Sequence, residues 1–243
     1  MDLPIAIAVL LLATIASCIQ SLSGFGFSLF IVPVLALLVG PREAVFIANV
    51  LSVVLNAVQL WHMRSAVEWR TSWLLLIGSF LGMPFGVAVL VVLDPSLLKL
   101  LIAGTVVVFT LLLIRGMRLH GGGKPGDVAI GFVSGVFNTS TSMSGPPVVI
   151  YLQGKRIAPM AFRATNTFFF GVSALGAVAM LSLGGTSSGN AWLASAVALP
   201  GVALGRIAGN AWYRRINEVV FRRIVFAVLL GSAGVAILTT LLV

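Results

Sequence analysis

Long apolar runs follow one another along this chain with only short polar connections, and this feature limits its possible folds more than any other. A helix needs about 20 mostly apolar residues to cross a bilayer. Hydrophobic residues make up 59% of the 243 residues and charged residues 9%, whereas a soluble domain carries roughly 25% charged residues. The sequence therefore predicts an all-α polytopic membrane protein. The nine apolar runs are 4–22, 24–39, 44–61, 72–92, 97–114, 127–153, 160–182, 191–208 and 219–243.

The composition also excludes other classes of protein. The apolar content is too high for disorder, and a single cysteine, Cys18, excludes a disulfide scaffold. The net charge of +9 comes from basic residues that lie mainly between apolar runs, so we expect no nucleic-acid partner. No phosphate loop, zinc motif or Ser-His-Asp set is present, so we expect no enzyme, cofactor or metal. None of the six acidic residues lies near the middle of a run, and we expect no buried carboxylate.

The positions of lysine and arginine predict the orientation in the membrane. The stretches 4–39 and 127–153 could each cross once or turn back as a hairpin. With two hairpins and six further spans, all but Arg42 and Lys99 of the 15 basic residues fall on one side. Because cytoplasmic loops carry the excess of basic residues, this arrangement is favoured. It puts both termini outside and the glycine-rich linker 119–126 in the cytoplasm.

Two halves of the chain, 1–118 and 127–243, carry similar motifs in the same order. A glycine-containing break comes first, then a helix that starts at a proline and contains an asparagine, and then a Gly-x-x-x-Gly pair. Since the halves begin on opposite sides, we predict inverted repeats, each a broken or re-entrant hairpin plus three transmembrane helices. The matching motifs are Ser23-Gly24-Phe25-Gly26 with Ser144-Gly145-Pro146-Pro147, Pro41 with Pro159, Asn49 with Asn166, and Gly82/Gly86 with Gly201/Gly205.

Polar residues interrupt the apolar pattern at 20–28 and at 138–145. Non-helical backbone at membrane depth survives only against protein or a water-filled cavity. Pro146 and Pro147 are suited to the first turn of a new helix, and a helix N-terminus attracts anions. We therefore predict an anion site near the midplane, where the two tips meet. The alternative is that the hydroxyls bond back to carbonyls four residues earlier and the helices only kink.

Several polar residues near the breaks have two interpretations. Asn49 and Asn166 could contribute to the site or bridge helices, and for Asn56 helix packing is favoured. Arg163 could mark the transport pathway or anchor the helix by reaching the interface. For Arg206 the anchor is favoured, because Arg214 and Arg215 follow it; Arg222 and Arg223 open the last run. His62 is expected at the membrane interface.

The motifs around the second break resemble the second-half signature of the sulfite exporter TauE/SafE family. That signature covers Gly131 to Phe137, Gly145-Pro146-Pro147, Tyr151-Leu152 and 162–165, and the first break with Pro33 and Pro41 is similar to the family's first-half motif. The resemblance implies a permease for sulfite, sulfonates or related organic anions, commonly working outward. It favours Ser144 to Pro147, Arg163 and Asn166, with Ser23, Gly24, Gly26 and Asn49. The hydroxyls at 139–142 depart from the family's glycine-rich breaks. The family is often predicted with eight spans.

The residues and the resemblance together predict a secondary transporter of small sulfur-containing anions in a bacterial inner membrane, working by alternating access. A passive anion channel and a non-transporting membrane scaffold are the alternatives. The expected partners are a small anionic solute and the lipid bilayer, and the protein is expected to be a monomer or a homodimer. The predicted substrate-binding residues are Gln20, Ser23, Gly24, Gly26, Asn49, Asn138, Thr139, Thr141, Ser144, Gly145, Arg163 and Asn166.

Overall fold

A computed structural model describes residues 3–61 and 63–212, together with Gly231 and Gly234. In these residues the chain is helical, without strands. The helices are α1 (Leu3–Ser23), α2 (Phe27–Leu38), α3 (Pro41–Leu60), α4 (Trp69–Val92), α5 (Pro95–Ile114), α6 (Gly123–Thr141), α7 (Gly145–Gly154), α8 (Pro159–Leu183) and α9 (Gly189–Trp212), with a 3-10 turn at Arg64–Ala66. The predicted run 219–243, His62, Arg214, Arg215, Arg222 and Arg223 lie outside the described residues.

The predicted runs and the observed helices agree closely, and both predicted breaks are present. Six of the described helices are long and apolar enough to cross a membrane: α1, α3, α4, α5, α8 and α9. By contrast α2 and α7 extend only about 18 and 15 Å at 1.5 Å per residue, less than the ~30 Å hydrocarbon layer. Each broken stretch thus joins a long helix to a short one. The linker predicted at 119–126 is shorter than expected, because α6 begins at Gly123.

The bundle has an apolar exterior and polar groups in its interior. Large apolar side chains project outward from the long helices, among them Leu81, Phe85, Leu175 and Ile207. Amide and hydroxyl side chains are buried, including Gln20, Asn49, Asn138 and Asn166. This distribution suits lipid as the surrounding solvent, because lipid accepts apolar surface and cannot satisfy polar groups. The fold is therefore that of a polytopic α-helical membrane protein, as predicted.

Glycine lets two pairs of helices pack with their backbones in contact. On α4 and α6, a methyl group added at Gly82 would overlap the carbonyl of Phe132, and one at Gly135 would overlap the carbonyl of Ser79. On α9, a methyl group at Gly205 would overlap the carbonyl of Thr14 on α1. The pairs α4–α6 and α1–α9 form the two most extensive helix contacts in the described chain. The Gly-x-x-x-Gly motifs therefore serve helix packing, the interpretation that such spacing ordinarily carries.

We expect Gly135→Ala to lower the thermal stability of the detergent-solubilised protein. The added methyl group must push α4 and α6 apart, and overpacking of this kind costs about 1–3 kcal/mol. Gly104→Ala is the matched control, since no atom lies within 4 Å of a methyl group at that helical position. Thermal unfolding followed by size-exclusion chromatography measures both variants. Equal melting temperatures would contradict the packing described for α4 and α6.

Candidate functional site

The first break lies between α1 and α2 and depends on two glycines. Gly24 (φ 81°) and Gly26 (φ 99°) adopt left-handed backbone conformations, which glycine reaches without a steric penalty. The Gly24 N–H donates to the carbonyl of Gln20 at 2.7 Å and closes α1. Ser23 donates its hydroxyl to the carbonyl of Ile19 at 2.8 Å. The chain then turns into α2, whose first intrahelical bond runs from the Phe30 N–H to the Gly26 carbonyl.

The second break lies at Ser142–Ser144, between α6 and α7. Ser142 ends α6 in a left-handed conformation (φ 58°). The hydroxyls just before it bond back to carbonyls four residues earlier: Thr139 to Gly135, Ser140 to Val136 and Thr141 to Phe137. Thr139 also donates to the Met83 carbonyl on α4 at 2.7 Å. The back-bonding interpretation thus holds for these three residues, while the helix nevertheless breaks one residue later.

The two breaks meet in the interior and enclose a small cavity. The hydroxyl oxygens of Ser28 and Ser142 lie 3.2 Å apart and join the two tips. The cavity has a volume of about 30 Å³, which is room for roughly two waters. Its lining residues are Gln20, Gly26, Phe27, Ser28, Leu29, Ser52, Asn138, Ser142, Met143, Ser144, Gly145, Pro146 and Phe170.

The cavity lining is rich in hydrogen-bond donors and contains no charged residue. Phe27, Ser28 and Leu29 open α2, and their amides precede its first intrahelical bond, so all three are available to a ligand. The tip of α7 contributes less: Pro146 and Pro147 have no N–H, which leaves the Gly145 N–H in its first turn. The sequence predicts N–H donors at the helix N-termini of both breaks, whereas the structure places most of these donors on α2.

Arg163 on α8 lies against the first break. Its Nη2 donates to the carbonyl of Ser21 at 3.0 Å, and a methyl group at Gly24 would lie 3.4 Å from its Cγ. Arg163 is half-buried. Its bonding partner, Ser21, directly follows Gln20 in the chain, and Gln20 lines the cavity. Arg163 therefore places a fixed positive charge close to an uncharged cavity, beside it rather than in its lining.

Buried hydrogen bonds position the two amides that face the cavity. Gln20 Nε2 donates to Asn56 Oδ1 at 2.8 Å, and Asn138 Nδ2 donates to Ser173 Oγ at 2.8 Å. Asn56 is itself oriented, since its Nδ2 donates to the Ser52 carbonyl. Each amide is thus tied to the long helix that follows a break, α3 in one case and α8 in the other. Asn56 joins α1 to α3, in line with the predicted packing role.

The two asparagines predicted as a pair are both buried, with different surroundings. Asn49 Nδ2 donates to the carbonyls of Val45 and Asn138, whereas its Oδ1 has no hydrogen-bond partner in the described part of the chain. Neither amide atom of Asn166 has such a partner there, although the residue is fully buried. Unsatisfied buried amides are rare and costly, so both residues are suited to accept or donate to a solute or an internal water.

Of the twelve predicted site residues, the structure places Gln20, Gly26, Asn138, Ser144 and Gly145 in the cavity lining. Four other predicted residues lie at the breaks, and each donates a hydrogen bond to a backbone carbonyl: Ser23, Gly24, Thr139 and Thr141. Asn49 and Arg163 contact residues that line or adjoin the cavity. Asn166 lies one turn beyond Arg163 on α8, outside the lining.

Two lining residues that the sequence did not indicate, Ser52 and Phe170, come from the long helices α3 and α8 rather than from the breaks. Ser52 lies one turn after Asn49 on α3, and Phe170 lies one turn after Asn166 on α8. The signal that could have indicated both is helical spacing, because residues three or four apart share a helix face. Ser28 and Ser142 belong to the predicted breaks and were not among the predicted binding residues.

The expectation of no buried carboxylate is wrong. Asp127 on α6 is 4% exposed and forms an ion pair with Lys155 at the end of α7. Lys155 also donates to Thr71 Oγ1 on α4 at 3.3 Å, and its ammonium lies 5.0 Å from the centre of the Tyr151 ring. Asp127 is the first residue of a predicted apolar run, a position where a charged side chain normally remains in solvent. It is buried here because α7 runs back alongside α6 and brings Lys155 next to it. This pair joins the ends of α6 and α7 opposite the tip.

An apolar exterior, six candidate spans and polar groups gathered around a cavity at two meeting helix breaks define a polytopic α-helical membrane protein. The chain belongs to the sulfite exporter TauE/SafE family, whose family model matches residues 9–236. It is therefore a membrane transporter of sulfur-containing anions, and this family is one of permeases rather than enzymes. The resemblance seen in the sequence is confirmed. Comparison with curated proteins found no match, and comparison with solved structures also found none.

We expect Asp127→Asn to destabilise the protein by about 2–3 kcal/mol. Removing one partner of a buried ion pair costs ~3–5 kcal/mol, and the cost is smaller here because the Lys155 side chain is 23% exposed. The measurement is thermal unfolding in detergent. Asp94→Asn is the matched acid-to-amide control: Asp94 caps the N-terminus of α5, where asparagine serves equally well. An equal loss of stability in Asp127→Asn and Asp94→Asn would contradict a stabilising contribution from the ion pair.

Proposed function

We propose that this protein exports sulfite, sulfonates or related small organic anions across a bacterial inner membrane, with the anion bound between the two helix breaks. Family membership supports the class of solute. The observation that carries the binding site is the meeting of the two tips around a neutral, donor-lined cavity. Backbone amides and hydroxyls can hold anionic oxygens there, as at other helix N-termini.

A neutral lining suits a transported anion, because the cavity must release the anion as well as bind it. A fixed cation inside the cavity would bind the anion strongly in low dielectric and would slow its release. Arg163 lies beside the first break, where it lowers the electrostatic cost of bringing an anion into the membrane interior. The predicted orientation puts Arg163 on the side that carries most of the basic residues. An anion from the cytoplasm would therefore pass Arg163 before it reaches the cavity.

We further propose that the two halves are inverted repeats, with both termini outside. The contacts support this correspondence. If α1 corresponds to α6 and α4 to α9, the α1–α9 contact is the counterpart of the α6–α4 contact. The bond from Gln20 to Asn56 is likewise the counterpart of the bond from Asn138 to Ser173. Inverted repeats of this kind allow a central site to open to each side in turn.

A passive facilitator is the second candidate, and one observation favours it. The lining contains no titratable side chain, so it offers no obvious site for a coupling proton. Counterflow separates the two mechanisms: a carrier shows faster uptake when substrate is present on the opposite side, whereas a channel does not.

We expect saturable sulfite or sulfonate flux in proteoliposomes and a loss of most of that flux in Arg163→Ala. The reason is the lost charge beside the cavity. The assay uses radiolabelled sulfite with a panel of sulfonates and carboxylates. Arg206→Ala is a suitable control, since Arg206 lies on α9 and is predicted to be an anchor. Absence of flux for every anion would refute the proposed substrates, and unchanged flux in Arg163→Ala would remove Arg163 from the pathway.

We expect Ser142→Gly to raise KM about fivefold without lowering stability. The change removes the hydroxyl that lines the cavity and bonds to Ser28, and a hydrogen bond contributes about 1 kcal/mol. Glycine also fits the left-handed backbone at this position, so the fold is not strained. Ser134→Ala is the control, because Ser134 is a fully buried serine of α6 outside the cavity lining. Equal KM values for Ser142→Gly and the wild type would exclude this hydroxyl from binding.

A further inference from the structure

The helices α4 and α9 pack mainly against the half of the chain to which they do not belong. In the part of the chain that the structure describes, the main neighbours of α4 are α6 and α8, both from the second half. Those of α9 are α1 and α3, both from the first half. The two halves have therefore exchanged one long helix each.

Glycine brings the backbones of the exchanged helices and their partners into direct contact. Along α4, methyl groups at Gly78, Gly82 and Gly86 would all overlap backbone atoms of α6. Along α9, methyl groups at Gly201 and Gly205 would overlap backbone atoms of α1. Packed backbones of this kind cannot slide by a fraction of a residue without collision, because close-packed interfaces have discrete arrangements rather than continuous ones.

Contacts between α3 and α8 are different in kind. Here a methyl group at Gly171 would lie 3.2 Å from the Asn56 Cβ, close but without overlap of backbones. The bonds near this interface run from Asn49 to the Asn138 carbonyl at 3.4 Å, between Ser28 and Ser142, and from Arg163 to the Ser21 carbonyl. Each of these three is one side-chain hydrogen bond, which can break and form again at little cost. A stronger link joins α3 to α4, since Arg42 donates to the carbonyls of Leu90, Val91 and Leu93 at the C-terminal end of α4.

We propose that the bodies that move during transport are not the two halves of the sequence but two bundles that each contain an exchanged helix. Bundle A consists of α1, α2, α3 and α9, and bundle B consists of α4, α6, α7 and α8. The cavity lies on the boundary between them. Bundle A contributes Gln20, Ser28 and Ser52 to the lining, and bundle B contributes Asn138, Ser142 and Phe170. This inference rests on the proposed alternating-access transport and identifies its moving parts.

Disulfide cross-links distinguish motion of the bundles from motion of the halves. In a Cys18→Ala background, Ser79→Cys with Ser173→Cys joins α4 to α8, since the two serine hydroxyls lie 2.9 Å apart. That link joins different halves but stays within bundle B. Asn56→Cys with Gly171→Cys joins α3 to α8 across both kinds of boundary, at a Cβ separation near the usual disulfide range of about 3.5–4.5 Å.

Sulfite flux is measured for each double variant after oxidation and again after reduction, so that each variant is its own control. Relative to the reduced form of the same variant, we expect oxidation to change flux by less than twofold for the 79–173 pair. For the 56–171 pair we expect oxidation to reduce flux more than tenfold, reversibly. Reversible loss of flux with the 79–173 link, or full flux with the 56–171 link, would overturn the proposal while transport itself stands. No flux in the wild type and in the Cys18→Ala parent alike would instead refute the proposed function, and the inference with it.

Discussion

Contact between helix backbones is the interaction on which the rest of this structure depends. Glycines on α4, α6 and α9 let these helices approach until main chain meets main chain. In a bilayer the hydrophobic effect does not drive helices together, so close van der Waals packing of this kind supplies much of the association energy. The two breaks follow the C-terminal ends of α1 and α6. Packing against α9 holds α1 in place, and packing against α4 holds α6. Because those ends are fixed, Ser28 and Ser142 can meet between them.

The uncharged lining of the cavity suits the proposed anion site. Its donors are dipoles supplied by the α2 amides and the serines, and the nearby full charge of Arg163 lies outside the lining. Such an arrangement stabilises negative charge without offering a fixed counter-ion that must be separated from it at release. The buried bonds from Gln20 to Asn56 and from Asn138 to Ser173 keep the amides in place, so the site does not have to be ordered when an anion enters.

Much of the fold followed from the sequence because its signals are local. Apolar length predicted the helices, and the glycines and prolines near 24 and 146 predicted the breaks. Sequence analysis could not predict that α4 packs on the second half, because that depends on contacts between distant segments. It also could not predict the burial of Asp127, because α7 had to bring Lys155 beside it. The sequence could have indicated Ser52 and Phe170, because they share helix faces with Asn49 and Asn166, respectively. Thr139 and Thr141 were predicted to bind the substrate. In the structure their hydroxyls donate hydrogen bonds to backbone carbonyls.

The pairing of α1 with α9 also has a consequence for the biogenesis of the protein. The first of the described helices, α1, has as its main partner the last of them, α9. Roughly 170 residues must be synthesised between them, which takes on the order of 10–30 s at about 5–20 residues per second. During that interval the face of α1 around Thr14 contacts lipid or a helper protein instead of α9. Insertion of the first half therefore precedes its packing, and the native bundle can close only after α9 has been synthesised.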